Sequence, residues 1–363
     1  MWNLILIVLG VFAIAAATYV TARVYRFSLI KRLAEKHKII ACLTSLLPIA
    51  AVGLFALINV FAMIVVLIHL LFAFILCDFV AFVWRKATKR HFGYNVQIIA
   101  ALSLTVVYLG IGWFLAHHVF MTEYTFSTQK DLGKDIRIVQ IADSHIGITL
   151  NGEDFSKQMT RVNNTAPDAI VIVGDFVDDD TKRQDMIEAC RALGNLKTTY
   201  GVYFVFGNHD EGYYNYRDFT SAELQKELTA NNVTILKDES VLIDNRFYIV
   251  GRRDRSMSGR ASAIQLTENL DSSKYIVLLD HQPNDYAAEA VSGADLILSG
   301  HTHGGHIFPA GLIGLATGAN DRVYGTEVRN RTTFVVTSGI SGWAIPFKTG
   351  TLSEFVVIDI KAN

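Results

Sequence analysis

The sequence predicts a helical membrane region followed by an α/β domain of alternating strands and helices, and three observations carry that expectation. The 363 residues are 51% hydrophobic and only 18% charged, too apolar for an ordinary soluble domain of this size. The apolar excess is crowded into the first third of the chain. Beyond Gly133 the pattern changes to short β-branched runs separated by polar, helix-like stretches.

Charge divides along the same line. Residues 1–120 hold 10 Lys and Arg against two acids, Glu35 and Asp78, while the remainder carries 23 basic and 32 acidic groups. A near-neutral total therefore combines a basic membrane half with an acidic second half. Polyanion binding draws on Lys and Arg to neutralise phosphates, so nucleic acid is excluded as the main partner. Of the three cysteines, Cys42 and Cys77 fall in apolar runs and Cys190 stands alone in the polar half, so no disulfide can form within the second domain.

Four spans are expected in the first half. Residues 2–20 form an apolar run without the basic start or small-residue cleavage site of a signal peptide, which reads as a retained helix. Residues 39–84 are too long for one crossing and divide into two passes near Asn59; residues 96–120 make the fourth. All ten basic residues lie in the loops 21–38 and 85–95, which places those loops in the cytoplasm and both the N-terminus and the second domain outside it. His69 and Asp78 sit inside a span, where ionisable groups are functional candidates, although helix packing or snorkelling is the preferred account of Asp78. The expected organisation is a membrane anchor over 1–120, a linker over 121–135 and a domain over 136–363.

Five apolar runs in the second half each lead into ligand-type residues. Run 136–142 precedes Asp143 and His145, 169–173 precedes Gly174-Asp175, and 202–206 precedes Gly207-Asn208-His209-Asp210. Run 275–279 precedes Asp280-His281, and 295–299 precedes Gly300-His301-Thr302-His303-Gly304-Gly305. Open α/β sheets build their sites at the carboxyl ends of strands, where the loops converge. Asp143 and His145 are two residues apart, as are His301 and His303, so in extended backbone each pair projects to one side. Carboxylate, imidazole and amide oxygen together suit a divalent ion such as Mn²⁺, Fe²⁺ or Zn²⁺ rather than a thiolate-seeking metal.

The ordered series D-x-H, G-D-x-x-D, G-N-H-D, a lone His after a strand, and G-H-T-H resembles the calcineurin-like metallophosphoesterase family across residues 136–363. The resemblance implies a sandwich of two mixed β-sheets flanked by helices. It further implies one metal on Asp143, His145 and His303, another on Asn208, His281 and His301, and Asp175 bridging both. His209 matches the family's histidine that contacts the scissile phosphate or protonates the leaving oxygen. Two departures narrow the branch. Gly174-Asp-Phe-Val-Asp-Asp-Asp180 has an acid where protein Ser/Thr phosphatases carry arginine, and Asp178 stands where purple acid phosphatases place the tyrosine that ligates ferric iron. The stretch Leu279-Asp-His281-Gln-Pro283 together with the double-histidine block most resembles the bacterial YkuE-like and YaeI-like branch, which includes membrane-associated members.

The reaction expected is hydrolysis of a phosphoester or diphosphate, with a hydroxide bridging two divalent ions as nucleophile and His209 assisting the leaving group. The anchor favours a lipid-linked or other envelope-associated phosphorylated substrate, besides the bilayer itself as partner. The competing class is a non-catalytic membrane receptor or scaffold that keeps the fold. Arg252, Arg253 and Arg255, with Arg260, read either as a phosphate clamp or as a solvated loop. Tyr213, Tyr214 and Tyr216 are candidates for the mouth of the site. The apolar stretch 307–316 is expected as a buried strand and turn, with contact to an amphiphile or the bilayer as the alternative.

Overall fold

The computed structural model describes residues 2–212 and 217–362, with side chains in the first helix from Gly10 onward. The chain divides into two compact units, Met1–Trp113 and Phe114–Asn363. Helices α1 (Trp2–Val24), α2 (Ser28–Lys36), α3 (Lys38–Ser45), α4 (Leu47–Leu54), α5 (Val60–Thr88) and α6 (Tyr94–His117) make up the first part. Among the described residues, three helical stretches are long and apolar enough to cross a bilayer: Lys38–Leu57, Val60–Thr88 and Tyr94–His117. The described apolar part of α1, Gly10–Val24, is shorter. The interruption within 39–84 falls at Asn59, whose side chain caps α5 by accepting the Ala62 N–H at 2.8 Å. Asp78 packs against α1, where Arg23 and Tyr19 both bond its carboxylate.

The second unit is built on two six-stranded sheets. The first runs β1 (Val119–Thr128), β12 (Ser353–Ala362), β2 (Ile136–Ile141), β3 (Ala169–Val173), β4 (Val202–Val205), β5 (Val233–Ile235). The second runs β10 (Gly325–Arg329), β11 (Thr332–Val336), β9 (Leu296–Ser299), β8 (Tyr275–Leu279), β7 (Phe247–Gly251), β6 (Glu239–Ile243). Both are mixed: β12 is antiparallel to β2, and β6 and β10 are antiparallel to their neighbours, within otherwise parallel pairings.

The strands are apolar on both faces because both faces are covered. Ile138, Val171, Val205, Ile249, Val277 and Leu298 meet between the sheets. On the outer face of the first sheet, Val139, Ile172 and Phe204 pack under α7 (Gly152–Asn163), α8 (Arg183–Gly194) and α9 (Ser221–Ala230). On that of the second, Ile276, Leu278 and Phe334 join residues of α10 (Ala263–Thr267) and α11 (Tyr286–Glu289). Double-sided burial is also why these strands read as continuous apolar runs rather than as alternation.

Two expectations about the chain's course are corrected. Residues assigned to a linker and to the end of the last span form β1, which pairs in parallel with β12 along its whole length, Val119 with Ser353 through Thr128 with Ala362. Its partner lies at the far end of the sequence, and only that partner turns a Thr- and Ser-rich segment into a strand. The stretch 307–316 is not a buried strand and turn: it holds a short helix, α12 (Ala310–Ala316), none of whose side chains is buried.

Candidate metal centre

Strands β2, β3 and β4 of one sheet and β8 and β9 of the other deliver the candidate ligands at their carboxyl ends. The backbone there is bent out of ordinary strand geometry. Asp143, His145, Asp175, His301 and His303 all have positive φ, from 34° to 69°. Non-glycine residues rarely adopt this region, and such strain is retained where surrounding contacts over-determine it, as at functional sites. Two glycines permit the crowding: a Cβ on Gly174 would lie 2.5 Å from the His281 ring and one on Gly207 would lie 2.2 Å from Asp175 Oδ1.

Asp210 ties the loops together. Its carboxylate accepts from the backbone N–H groups of Asp175, Phe176, Val177 and Gly207 at 2.8–3.1 Å, so the turns after β3 and β4 share one buried acceptor. Asp143 plays a similar part across the sheets, accepting the His301 N–H at 2.9 and 3.0 Å.

These turns bring two groups of donors together, with the ligand atoms in each within 4.8 Å of one another: Asp143, His145 and His303, and Asp175, His281 and His301. A third group, His145, Asp178 and His209, shares His145 with the first. The histidine tautomers follow from the hydrogen bonds. His145 Nδ1 donates to Asp178 Oδ2 at 3.0 Å, and His303 Nδ1 faces the Ser341 carbonyl at 3.3 Å. Their Nε2 atoms are then unprotonated, and they stand 3.2 Å apart. His281 donates Nδ1–H to the Val173 carbonyl at 2.8 Å, which directs its Nε2 at Asp175 Oδ2, 3.0 Å away. Ring nitrogens and carboxylate oxygens converging this closely repel unless a proton or a metal cation lies between them. The residues therefore fit a bound metal, with the second partner of each imidazole fixing its orientation.

Asp143 and Asp175 are buried, and among the described residues neither pairs with a Lys or Arg. Burial pushes the Asp143 carboxyl up to about 6. At His281 burial disfavours the charged form, but the Asp175 carboxylate outweighs it and holds the imidazole well above its usual value. At His303 burial, then the neighbouring His145, keeps the imidazole well below its usual value, with Asp175 a smaller opposing influence.

Asn208 lies at the same edge, its amide oxygen 3.5 Å from the Gln282 amide, which is in turn held by Asp254 at 2.9 and 3.0 Å. His209 presents Nδ1 to Asp178 Oδ1 at 3.0 Å, and its own N–H donates to Asp175 Oδ1 at 2.9 Å. Burial opposes protonation of His209, yet Asp178 and then Asp175 raise its pKa above the ordinary value.

Sequence reasoning passed over three of these residues. Asp178 orients two histidines at once and was legible in the G-D-x-x-D spacing; Asp210 is the last residue of G-N-H-D. Asp254 reaches the site only through the fold, with no local signal. The arginine clamp needs correction. Arg252 is buried and spent on Asp280 at 2.9 Å, Asp285 at 2.8 Å and Glu289 at 3.3 Å, leaving no guanidinium edge for phosphate. Arg260 also bonds Asp280, and Arg253 lies 3.6 Å from Asp238. Arg255 is exposed, next in the chain to Asp254. Tyr213, Tyr214 and Tyr216 lie outside the described residues.

Comparison with known proteins places these loops in a family context. A family model described as calcineurin-like phosphoesterase matches residues 136–305, which include every candidate ligand. An uncharacterised metallophosphoesterase of Campylobacter jejuni is 31% identical over 297 residues, covering 79% of this chain and 76% of that protein. The uncharacterised metallophosphoesterase YkuE of Bacillus subtilis is 26% identical over 291 residues, 77% of this chain and 99% of that one. A transmembrane protein with a metallophosphoesterase domain from Danio rerio is 29% identical over 236 residues, 62% of this chain and 53% of that protein.

Proposed function

Because the chain belongs to the calcineurin-like phosphoesterase family and is a metal-dependent phosphoester hydrolase, we propose that it is a membrane-anchored enzyme with a dinuclear centre acting on membrane- or envelope-associated phosphates. Asp143, His145 and His303 would hold one divalent ion; Asn208, His281 and His301 would hold the other, with Asp175 between them. The observation that carries this reading is the convergence of imidazole nitrogens and buried carboxylates in two adjoining groups whose ligand atoms lie within 4.8 Å of one another. When bound, such ions supply Lewis acidity to phosphate oxygens and lower the pKa of water to near neutrality.

The chain's own residues account for the remaining steps. Water gives up a proton to solvent as its oxygen adds to phosphorus in line, the ester P–O bond breaks, and His209 delivers a proton to the departing oxygen and regains one from solvent. Asp178 holds Nδ1 of His209 at 3.0 Å and thereby leaves Nε2 as the donor toward substrate. The raised pKa of His209 keeps that proton available near neutral pH. Asp178 serves His145 with its other oxygen, so one carboxylate aligns a ligand and an acid together.

The apolar helices and the distribution of basic loops support a multi-pass anchor of four spans, cytoplasmic basic loops and an extracytoplasmic hydrolase unit. The deciding experiment is hydrolysis of p-nitrophenyl and bis-p-nitrophenyl phosphate by the detergent-solubilised full chain, with Mn²⁺, Fe²⁺ or Zn²⁺ restored after chelation. Turnover that returns with metal supports the reading, and a folded sample inert with every metal refutes it. A reporter active only outside the cytoplasm, fused after Asn363, checks the topology separately.

A further inference from the structure

The edge of the unit that carries the metal centre is also the edge at which the chain arrives from α6. Helix α6 ends at His117 and β1 begins at Val119, leaving His118 alone between them. Val119 pairs with Ser353 at the start of β12, whose hydroxyl donates to the Ala116 carbonyl at 2.9 Å. Strand β12 runs antiparallel to β2, with Val356 opposite Gln140, so the beginning of β12 lies beside the carboxyl end of β2 that bears Asp143. Just before β12, the N–H groups of Thr349 and Gly350 both donate to the His306 carbonyl at 2.9 Å, and Thr349 Oγ1 accepts the Phe308 N–H at 3.1 Å. The start of β1, the ligand loops and the segment leading into α12 thus share one edge.

That segment is unusually apolar for a surface. Between His303 and Asp321 the chain has no Asp, Glu, Lys or Arg. Phe308, Leu312 and Ile313 are 56–61% exposed. Helix α12 is seated on the site through a glycine contact, since a Cβ on Gly305 would lie 2.9 Å from Gly311 Cα. On the other side of the opening Trp343 is 41% exposed, with its ring 5.6 Å from that of His209. Exposed apolar surface of this kind marks an interaction site rather than an ordinary solvated face.

We propose that α12, with Phe308 and Trp343, docks into the interfacial layer of the bilayer that the chain's own helices cross, holding the metal centre at the level of lipid headgroups. A single residue separates α6 from β1 along the chain, and an uncharged apolar helix matches lipid rather than a charged partner. The inference goes beyond the hydrolase reading and does not depend on it.

The test uses the full chain in lipid nanodiscs, with Cys42 and Cys77 replaced by Ser and a nitrobenzoxadiazole probe attached through Leu312→Cys. Lys197→Cys, in the exposed turn leading into β4 at the opposite edge, serves as the control. Brominated acyl chains are expected to quench most of the emission at 312 and none at 197. Equal, unquenched emission at both positions overturns the proposal. So does self-quenching at 312 that grows with the fraction of labelled copies while bromine has no effect, because the face would then belong to a second copy of the chain. Hydrolysis of p-nitrophenyl phosphate, measured on the same samples, reports on the hydrolase reading alone.

Discussion

Replacing Asp178 by Asn isolates the coupling between the proposed metal ligand His145 and the proposed acid His209. The carboxylate has one oxygen for each histidine: Oδ2 accepts from His145 Nδ1–H and Oδ1 from His209 Nδ1–H, both at 3.0 Å. Oδ1 also accepts the Asp179 N–H at 2.7 Å. An asparagine keeps a single acceptor oxygen, which settles where two donors already converge, and its NH₂ then faces His145. That imidazole must move its proton to Nε2, the atom 3.2 Å from His303 Nε2 and the one needed for a cation. Loss of such an outer partner costs about 10–100-fold in metal affinity, or about 1.4–2.8 kcal/mol at 1.4 kcal/mol per tenfold. Calorimetric titration of chelated protein with Mn²⁺ should show the weakened binding, while turnover at saturating metal changes less because His209 keeps its partner. Unchanged affinity with collapsed turnover would refute the assignment, since the carboxylate would then act on His209 alone.

Three further outcomes are expected. His209→Asn should lower turnover of p-nitrophenyl phosphate by about 10²–10⁴-fold with bound metal, counted by elemental analysis, unaltered; loss of both would make His209 a ligand. Arg252→Ala leaves buried Asp280 and Glu289, and half-buried Asp285, short of a partner and should destabilise the unit by about 3–5 kcal/mol, read as a lower melting temperature, whereas Arg255→Ala at its exposed position should leave the melt unchanged. Lys348, buried and bonded among the described residues to the carbonyls of Ser338, Gly339 and Leu352, is pushed by burial down to about 7 from 10.5. Between those values the unfolded chain binds the proton and the native one does not, so this group makes stability rise with pH across that window. Below about pH 7 both states are protonated and the full cost of burying the ammonium is present. Denaturation midpoints of Lys348→Met and the parent should therefore diverge with pH from 7 to 10, and parallel curves would remove Lys348 from the account.

Much of the candidate site was legible in the sequence because its candidate ligands are local to strand ends. Asp143 and His145, or His301 and His303, announce themselves by spacing within one turn, and strands buried on both faces leave apolar runs just before them. Strand β1 was not legible: its partner β12 lies more than 200 positions away, and nothing in Thr122-Glu-Tyr-Thr125 distinguishes an edge strand from a linker until that partner is in place. The stretch 307–316 failed for the opposite reason. Apolar composition normally means burial, and here the side chains of α12 stay exposed.

From residue identity alone came the apolar spans, the basic loops and the ordered set of imidazoles and carboxylates, since hydropathy, charge and donor chemistry belong to the side chains themselves. Which guanidinium is spent on Asp280, which carboxylate steadies two histidines, and which edge of the sheet meets the chain arriving from α6 were settled only by folding. Those relations are distances between residues remote along the chain, and hydrogen bonds and ion pairs act only over a few ångströms.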